Sequence, residues 1–323
     1  MFKMANYLRC VTQGFFLIAL LLAWPAAAQR SFDTDILADT FGFDADTKKS
    51  VALVDLHQGC PARDCIPSID DPQYVAAADA THVADDDVVL ALSWNGEHRA
   101  YPARILDHHE IVNDVIGGTP LAITWCPLCG SAVGVKREVA GQVTEFGVSG
   151  VLYESNLVFY DRATETLWDQ VGAKGIVGPL TDTPLELVPI TMTRWSRWKD
   201  AHPDTLVLST DTGFDEDYSK DHYAKYREED ILFMPVSASS DAVHAKTVIY
   251  GFEVDGKSVA FTENFLEQHP QHEYRIGEGS YTVSIADDGA VRMADNQSGT
   301  THIPVRLFWF SWFTFHPDTD LVK

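Results

Sequence analysis

Reactive side chains concentrate at Trp125-Cys126-Pro127-Leu128-Cys129-Gly130. Two thiols at this spacing can hold a soft metal ion, cycle between dithiol and disulfide, form a structural bridge or stay inert, and the spacing alone does not choose. The flanks say more. A redox pair of the thioredoxin kind heads a helix, whose unsatisfied N–H groups lower the thiol pKa. Here residues 121–125 and 132–139 both alternate in the manner of strands. A tight turn between strands suits a metal knuckle: Pro127 sets the turn, Gly130 takes the position that needs positive φ, and backbone N–H groups face the sulfurs.

One knuckle gives two donors, so a metal centre needs more. The run Ile105-Leu-Asp-His-His-Glu-Ile-Val-Asn-Asp114 predicts a short helix on which His109 and Asn113 share a face while His108 points about 100° away. His109 is therefore the expected third ligand, and a histidine simply hydrogen-bonded to backbone between strands is the plainer alternative. A metalloprotease would need a second histidine where Asn113 stands. Thiolate plus imidazole suits copper or zinc without separating them. Beyond the knuckle, segment 146–162 predicts strand, turn, strand, with Ser149, Tyr153 and Asn156 expected to line a substrate side and Asp161-Arg162 to lock a turn. Gly147-Val-Ser-Gly150 is one residue short of a nucleophile elbow and no helix follows, which excludes a hydrolase triad.

The elements that must position these residues occur twice. Val89-Leu-Ala-Leu-Ser-Trp-Asn-Gly96 and its continuation to Leu106 return from Ile249 to Leu266 at an offset of 160, as does 121–125 at 281–285. Trp195-Ser-Arg-Trp198 with His202-Pro-Asp-Thr205 returns as Trp309-Phe-Ser-Trp312 with His316-Pro-Asp-Thr319, now at an offset of 114. The second copy therefore lacks most of the stretch between Cys126 and Trp168. Whatever both copies hold is a candidate for fold, and whatever one holds alone is a candidate for function. The expected architecture is α+β, a single antiparallel-sheet-rich domain of two pseudo-repeats with short helices, at about 82–208 and 241–323.

Lys3 and Arg9 precede an apolar stretch at 14–23, and Ala26-Ala-Ala28 supplies a cleavage pattern before Gln29, so residues 1–28 are expected to be a signal peptide and 29–323 a periplasmic domain. The stretch holds roughly ten apolar residues against the ~20 that span a bilayer, and the mature chain is expected to have no membrane span. With 24 Lys and Arg against 47 Asp and Glu, a formal charge of -23 excludes nucleic acid as a natural partner. An exported Cys60-Pro-Ala-Arg-Asp-Cys65 is expected to oxidise to a local disulfide, with ligation the alternative. The aromatic run 308–315 is too short for a membrane, and its echo at Trp195 argues for core.

These motifs, in order, resemble the domain of unknown function 3179 family: Ile66-Pro-Ser-Ile-Asp70, Ala100-Tyr-Pro-Ala-Arg104, His109-Glu-Ile-Val-Asn-Asp114, Cys126-Pro-Leu-Cys-Gly130, Phe146-Gly-Val-Ser-Gly150, Asn156 to Arg162, Trp168 and His202-Pro-Asp-Thr205. The resemblance implies membership and no activity. The chain departs from the family pattern at His108, ordinarily aromatic, and at the Cys60 to Cys65 loop, ordinarily without cysteine, which favours His109 as ligand. Three functions follow as expectations: a metal-dependent, redox-type enzyme; a metal-binding or delivery protein; or a thiol-disulfide protein using the cysteine pair alone. Each would act on a small molecule or a periplasmic protein.

Overall fold

The hairpin that opens the first repeat is set by its turn: Asn95 and Gly96 both take positive φ, the pairing that closes a two-residue loop between right-twisted strands. Asp255 and Gly256 do the same between Val248–Val254 and Lys257–Thr262. In this computed structural model, which describes residues 35–323, strands dominate, nearly all pairings are antiparallel, and the helices are short. The fold is α+β. The expected signal peptide lies outside the described residues.

The sequence repeat has a counterpart in strand pairing. One sheet runs Thr191–Arg194, Val88–Trp94, Glu97–Pro102, Leu206–Leu208, Tyr74–Ala76, and another Val305–Phe308, Val248–Val254, Lys257–Thr262, Asp320–Val322. Val89 pairs with Pro102 as Ile249 does with Thr262, and Ala91 with Thr191 as Gly251 does with Val305. In each sheet one strand is parallel, pairing Leu206 with Arg99 and Asp320 with Val259. A second pair of sheets, built on Thr119–Cys126 and Gly279–Ile285, matches likewise: Ile111 pairs with Thr124, and Gln271 with Ser284. The registers keep the offsets of 160 and 114 residue for residue.

The recurring Trp and His-Pro-Asp-Thr motifs work as a unit. Trp195–Ala201 and Trp309–Phe315 are helices that bury Trp195, Trp198, Trp309 and Trp312. The indole N–H of Trp198 donates to Thr205 Oγ1 at 3.1 Å and that of Trp312 to Thr319 Oγ1 at 2.9 Å. His202 and His316 stand against the same indoles, with ring centroids 4.1 and 3.9 Å apart. The threonine satisfies a buried donor, which is why the four-residue motif accompanies the tryptophans. The aromatic run is thus core, as expected.

The stretch with no counterpart in the second repeat forms its own sheet, Leu56–Gln58, Phe146–Tyr153, Asn156–Asp161, Leu167–Asp169, Lys174–Val177. Leu157, Phe159 and Trp168 pack with both cysteines of the knuckle on one side, while Val158, Tyr160 and Leu167 pack with Phe41 and Ile176 on the other. Asp161 does lock a turn, accepting from Thr164 N and Oγ1 and from Trp168 Nε1. A bulge interrupts the register between Val148 and Val151. It needs Gly150, at φ +84, where a Cβ would lie 2.7 Å from the Ala62 carbonyl. Over that bulge lies the loop in which Cys60 and Cys65 stand at disulfide distance, anchored by Asp64 N to Val148 O at 2.8 Å.

One element differs from expectation. The helix foreseen across 105–114 is only Ala103–Leu106, and Ile111–Ile116 is a strand. His109 N and Glu110 N both bond back to the Leu106 carbonyl, Glu110 turns to φ +58, and the β-branched run Ile111-Val112 and Val115-Ile116 then joins the sheet. His109 and Asn113 therefore share no helical face. Asn113 instead clamps Phe146 N and O across the buried edge, at 2.9 and 2.8 Å.

Candidate functional site

The cysteines sit where the strand alternation places them. Thr119–Cys126 and Ser131–Lys136 pair antiparallel up to Cys126 opposite Ser131, and the intervening turn is closed by Cys129 N to Cys126 O at 3.2 Å. Gly130 takes φ +61, and a Cβ there would stand 2.8 Å from the Phe308 ring. The turn is held from the second repeat by Phe308 N donating to Cys129 O at 2.7 Å. The two sulfurs lie 3.0 Å apart and both residues are buried.

Their environments separate them. Burial pushes the Cys126 thiol up, but hydrogen bonds from the Cys129 thiol and from the N–H groups of Cys129, Leu157 and Leu128 outweigh it, leaving the pKa below the ordinary thiol value. Cys129 is pushed well up by burial, by its hydrogen bond with Cys126 and by the negative charge there, and its thiol donates to the Ser155 carbonyl at 3.2 Å. The pair thus favours one thiolate, at Cys126, and one thiol, at Cys129.

Residues that the sequence gave no reason to single out complete the surroundings. Glu110 O accepts from Trp125 N at 2.7 Å, and burial holds the Glu110 carboxyl well above the usual carboxylate range, reinforced by charge on Cys126 and Asp107. Asp107 accepts from the Trp125 indole at 2.8 Å and is pushed up to about 6, chiefly by burial. The segment between the repeats covers the turn: Tyr226, in the helix Ala224–Glu228, donates to the Leu128 carbonyl at 3.0 Å. Lys246 pins that segment by bonding the carbonyls of Tyr226, Glu229 and Ile231, with its ammonium 3.6 Å from the Tyr226 ring centre. On the other side a pocket of about 300 Å³ is walled by Trp125, Pro127, Gly130 and Phe308.

The expected third ligand is engaged elsewhere. His109 is fully buried, with Nδ1 against the Pro67 carbonyl at 2.8 Å and Nε2 against the Tyr218 hydroxyl at 2.6 Å. Both ring nitrogens are spent, so the plainer alternative for His109 describes its contacts. His108 stands 3.3 Å from Glu216. Among the described residues no group of three His, Cys, Asp or Glu is placed to hold a metal ion, and a copper or zinc centre on Cys126, Cys129 and His109 is not supported.

The three residues expected to line a substrate side part company. Ser149 is spent inside the bulge, donating to Val158 O and accepting from Val151 N at 3.2 Å. Tyr153 is partly exposed against Phe315, ring centres 6.1 Å apart. Asn156 precedes Leu157, whose N–H serves Cys126, and the strand alternation turns its own side chain to the face of Val158, opposite the cysteines. Its side chain is fully buried, and neither amide atom has a hydrogen-bond partner.

Residues 63–319 match the family described as Protein of unknown function (DUF3179). The chain belongs to that family. No curated protein and no solved structure matches it. Within this DUF3179 chain, the matched span takes in the knuckle, the hairpin that carries Asn156 and the second-repeat helix that meets the turn, whereas Cys60 lies just before its start.

Proposed function

We propose that Cys126 and Cys129 form a dithiol–disulfide redox pair. The observation that carries this reading is the 3.0 Å contact between the two buried sulfurs; hydrogen bonding lowers the Cys126 thiol and burial raises that of Cys129, which makes Cys126 the nucleophile. The Cys126 thiolate attacks an acceptor's electrophilic atom, and the acceptor's leaving group takes the bonding electron pair. Cys129, losing its proton, then attacks Cys126 Sγ and expels what Cys126 had captured. The pair ends as a disulfide, and the acceptor is reduced by two electrons. Burial of both sulfurs, under Tyr226 on one side and Pro127 on the other, limits which acceptors arrive.

Export supports the same reading. The leader expected at 1–28 would deliver the chain to an oxidising compartment, where Cys60 and Cys65 at disulfide distance are at home. Equilibrating the protein in thiol/disulfide buffers of graded potential, with peptide mass mapping, tests the proposal. A reversible Cys126–Cys129 bridge, absent in Cys126→Ser and in Cys129→Ser, is expected. Stoichiometric copper or zinc on the reduced protein, lost in both variants and blocking the bridge, would overturn it in favour of metal binding or delivery.

A further inference from the structure

The pocket of about 300 Å³ beside the turn is walled mostly by apolar groups, among them Trp125, Pro127, Met192, Val248 and Phe308, and is large enough for a small organic molecule. The charged residues around it are matched in pairs, with one exception. Arg104 is held by Asp87 at 2.8 Å, Arg306 by Glu263 at 2.9 Å and Arg227 by Asp221, and Asp86 stands 3.8 Å from Arg194. Asp107 is left over. It lines the pocket at 8% exposed and takes the Trp125 indole N–H on Oδ1 at 2.8 Å, but among the described residues no cation pairs with it and no donor meets its Oδ2. A carboxylate withdrawn from water without a counter-ion is unfavourable, and burial accordingly pushes Asp107 up to about 6.

The second repeat shows that the scaffold does not require this arrangement. Glu267 stands at the place of Asp107 and Ile285 at that of Trp125, both at an offset of 160, while Phe308 answers to Arg194 at an offset of 114. Glu267, Ile285 and Arg194 line the matching pocket of the other half, where the carboxylate is exposed and a guanidinium replaces the ring. A buried acid among aromatic walls belongs to one pocket alone.

We propose that this pocket binds a small primary amine with an apolar tail, its ammonium on Asp107 Oδ2 and its tail against Trp125, Met192 and Phe308. The ammonium brings both the missing charge and the missing donor. With one oxygen already given to the indole, a single-headed donor suits the site better than the two-pronged fork of a guanidinium, and a quaternary ammonium has no N–H to offer. An anion would find every arginine taken and a carboxylate facing it. The chain's formal charge of -23 also draws cations towards it. Binding here needs no electron transfer, so the proposal stands apart from the dithiol reading.

Isothermal titration of the full chain with phenethylamine and with phenylpropionate, which share a tail and differ in the sign of the head, tests the assignment. The amine is expected to bind at least about tenfold tighter than the acid, a comparison made on the parent protein. Asp107→Asn keeps an acceptor for the indole and should weaken the amine about tenfold, the effect of one lost charge-assisted hydrogen bond, with thermal unfolding confirming that the variant folds. Glu267→Gln, in the matching pocket, should leave the amine affinity unchanged. Binding of the acid as tight as that of the amine, no heat from the amine at millimolar concentration, an unchanged affinity in folded Asp107→Asn, or a loss in Glu267→Gln equal to that in Asp107→Asn each overturns the proposal.

Discussion

The turn at Cys126 and the turn at Ala286 occupy matching places in the two repeats, and their neighbours match as well. Trp125 pairs with Ala132 across the first turn, and Ile285 with Val291 across the second, which is one residue shorter. Each packs against the tryptophan helix of the other repeat. Arg197 donates to the carbonyls of Asp287 and Ala286, both at 2.9 Å, and Ser311, the residue at the equivalent helix position, stands beside Cys129. At the second turn a guanidinium satisfies the backbone of Ala286-Asp-Asp-Gly289. At the first, the short hydroxyl of Ser311 bonds the Cys129 thiol instead. The same scaffold sets a guanidinium against backbone carbonyls at one turn and a hydroxyl against a buried thiol at the other.

The largest expected effect comes from forcing the first turn to resemble the second. Ser311→Arg would bring an uncompensated charge into a fully buried position and should destabilise the protein by about 3–5 kcal/mol, measured by denaturant unfolding. Arg197→Ser, at the exposed equivalent, should cost about 1 kcal/mol. Equal losses at the two sites would break the contrast.

A pH series sharpens it further. Asp169, without a counterpart in the second repeat, is raised to about 7, chiefly by burial, from 3.8. A raised carboxyl favours the fold when protonated, so its contribution is complete below the unfolded pKa and is lost as pH rises through about 7. Asp169→Asn should therefore match the parent protein near pH 4 and gain on it progressively towards pH 8, read from unfolding free energies. A difference that stays flat across this range contradicts the burial account.

The smallest effects test what the repeats share. Thr205→Val and Thr319→Val each orphan an indole N–H and should cost about 1 kcal/mol apiece. A loss at one and none at the other would show that the shared motif does different work in the two halves.

The sequence made the scaffold legible because its signals were local. Alternation flanking Cys126, the Asn95-Gly96 turn and the paired offsets each report on adjacent residues or on identity between copies. The error at 105–114 is also instructive: the apolar spacing fitted a helix, but the β-branched residues joined a sheet whose other strands lie elsewhere in the chain. His109 was misjudged for a related reason, since its partners, Pro67 and Tyr218, come from remote loops. Nothing near Cys126 in sequence announces Glu110, Tyr226 or Ser311. Asn156 and Ser149 both fall in the stretch that only one repeat possesses, but the alternation that turns Asn156 to the face of Val158 and the bulge that consumes the Ser149 hydroxyl are not visible in residue type.

Cys126 and Cys129 differ in proton affinity, and titration of thiolate ultraviolet absorbance measures that directly, because the Cys60–Cys65 disulfide contributes no thiolate. One thiolate is expected to appear below the ordinary thiol value of about 8.5 and to vanish in Cys126→Ser. In Cys129→Ala it should persist but appear at higher pH, having lost the Cys129 hydrogen bond. Two thiols ionising together near the ordinary value, or a low-pH thiolate that disappears in Cys129→Ala and survives in Cys126→Ser, would contradict the account.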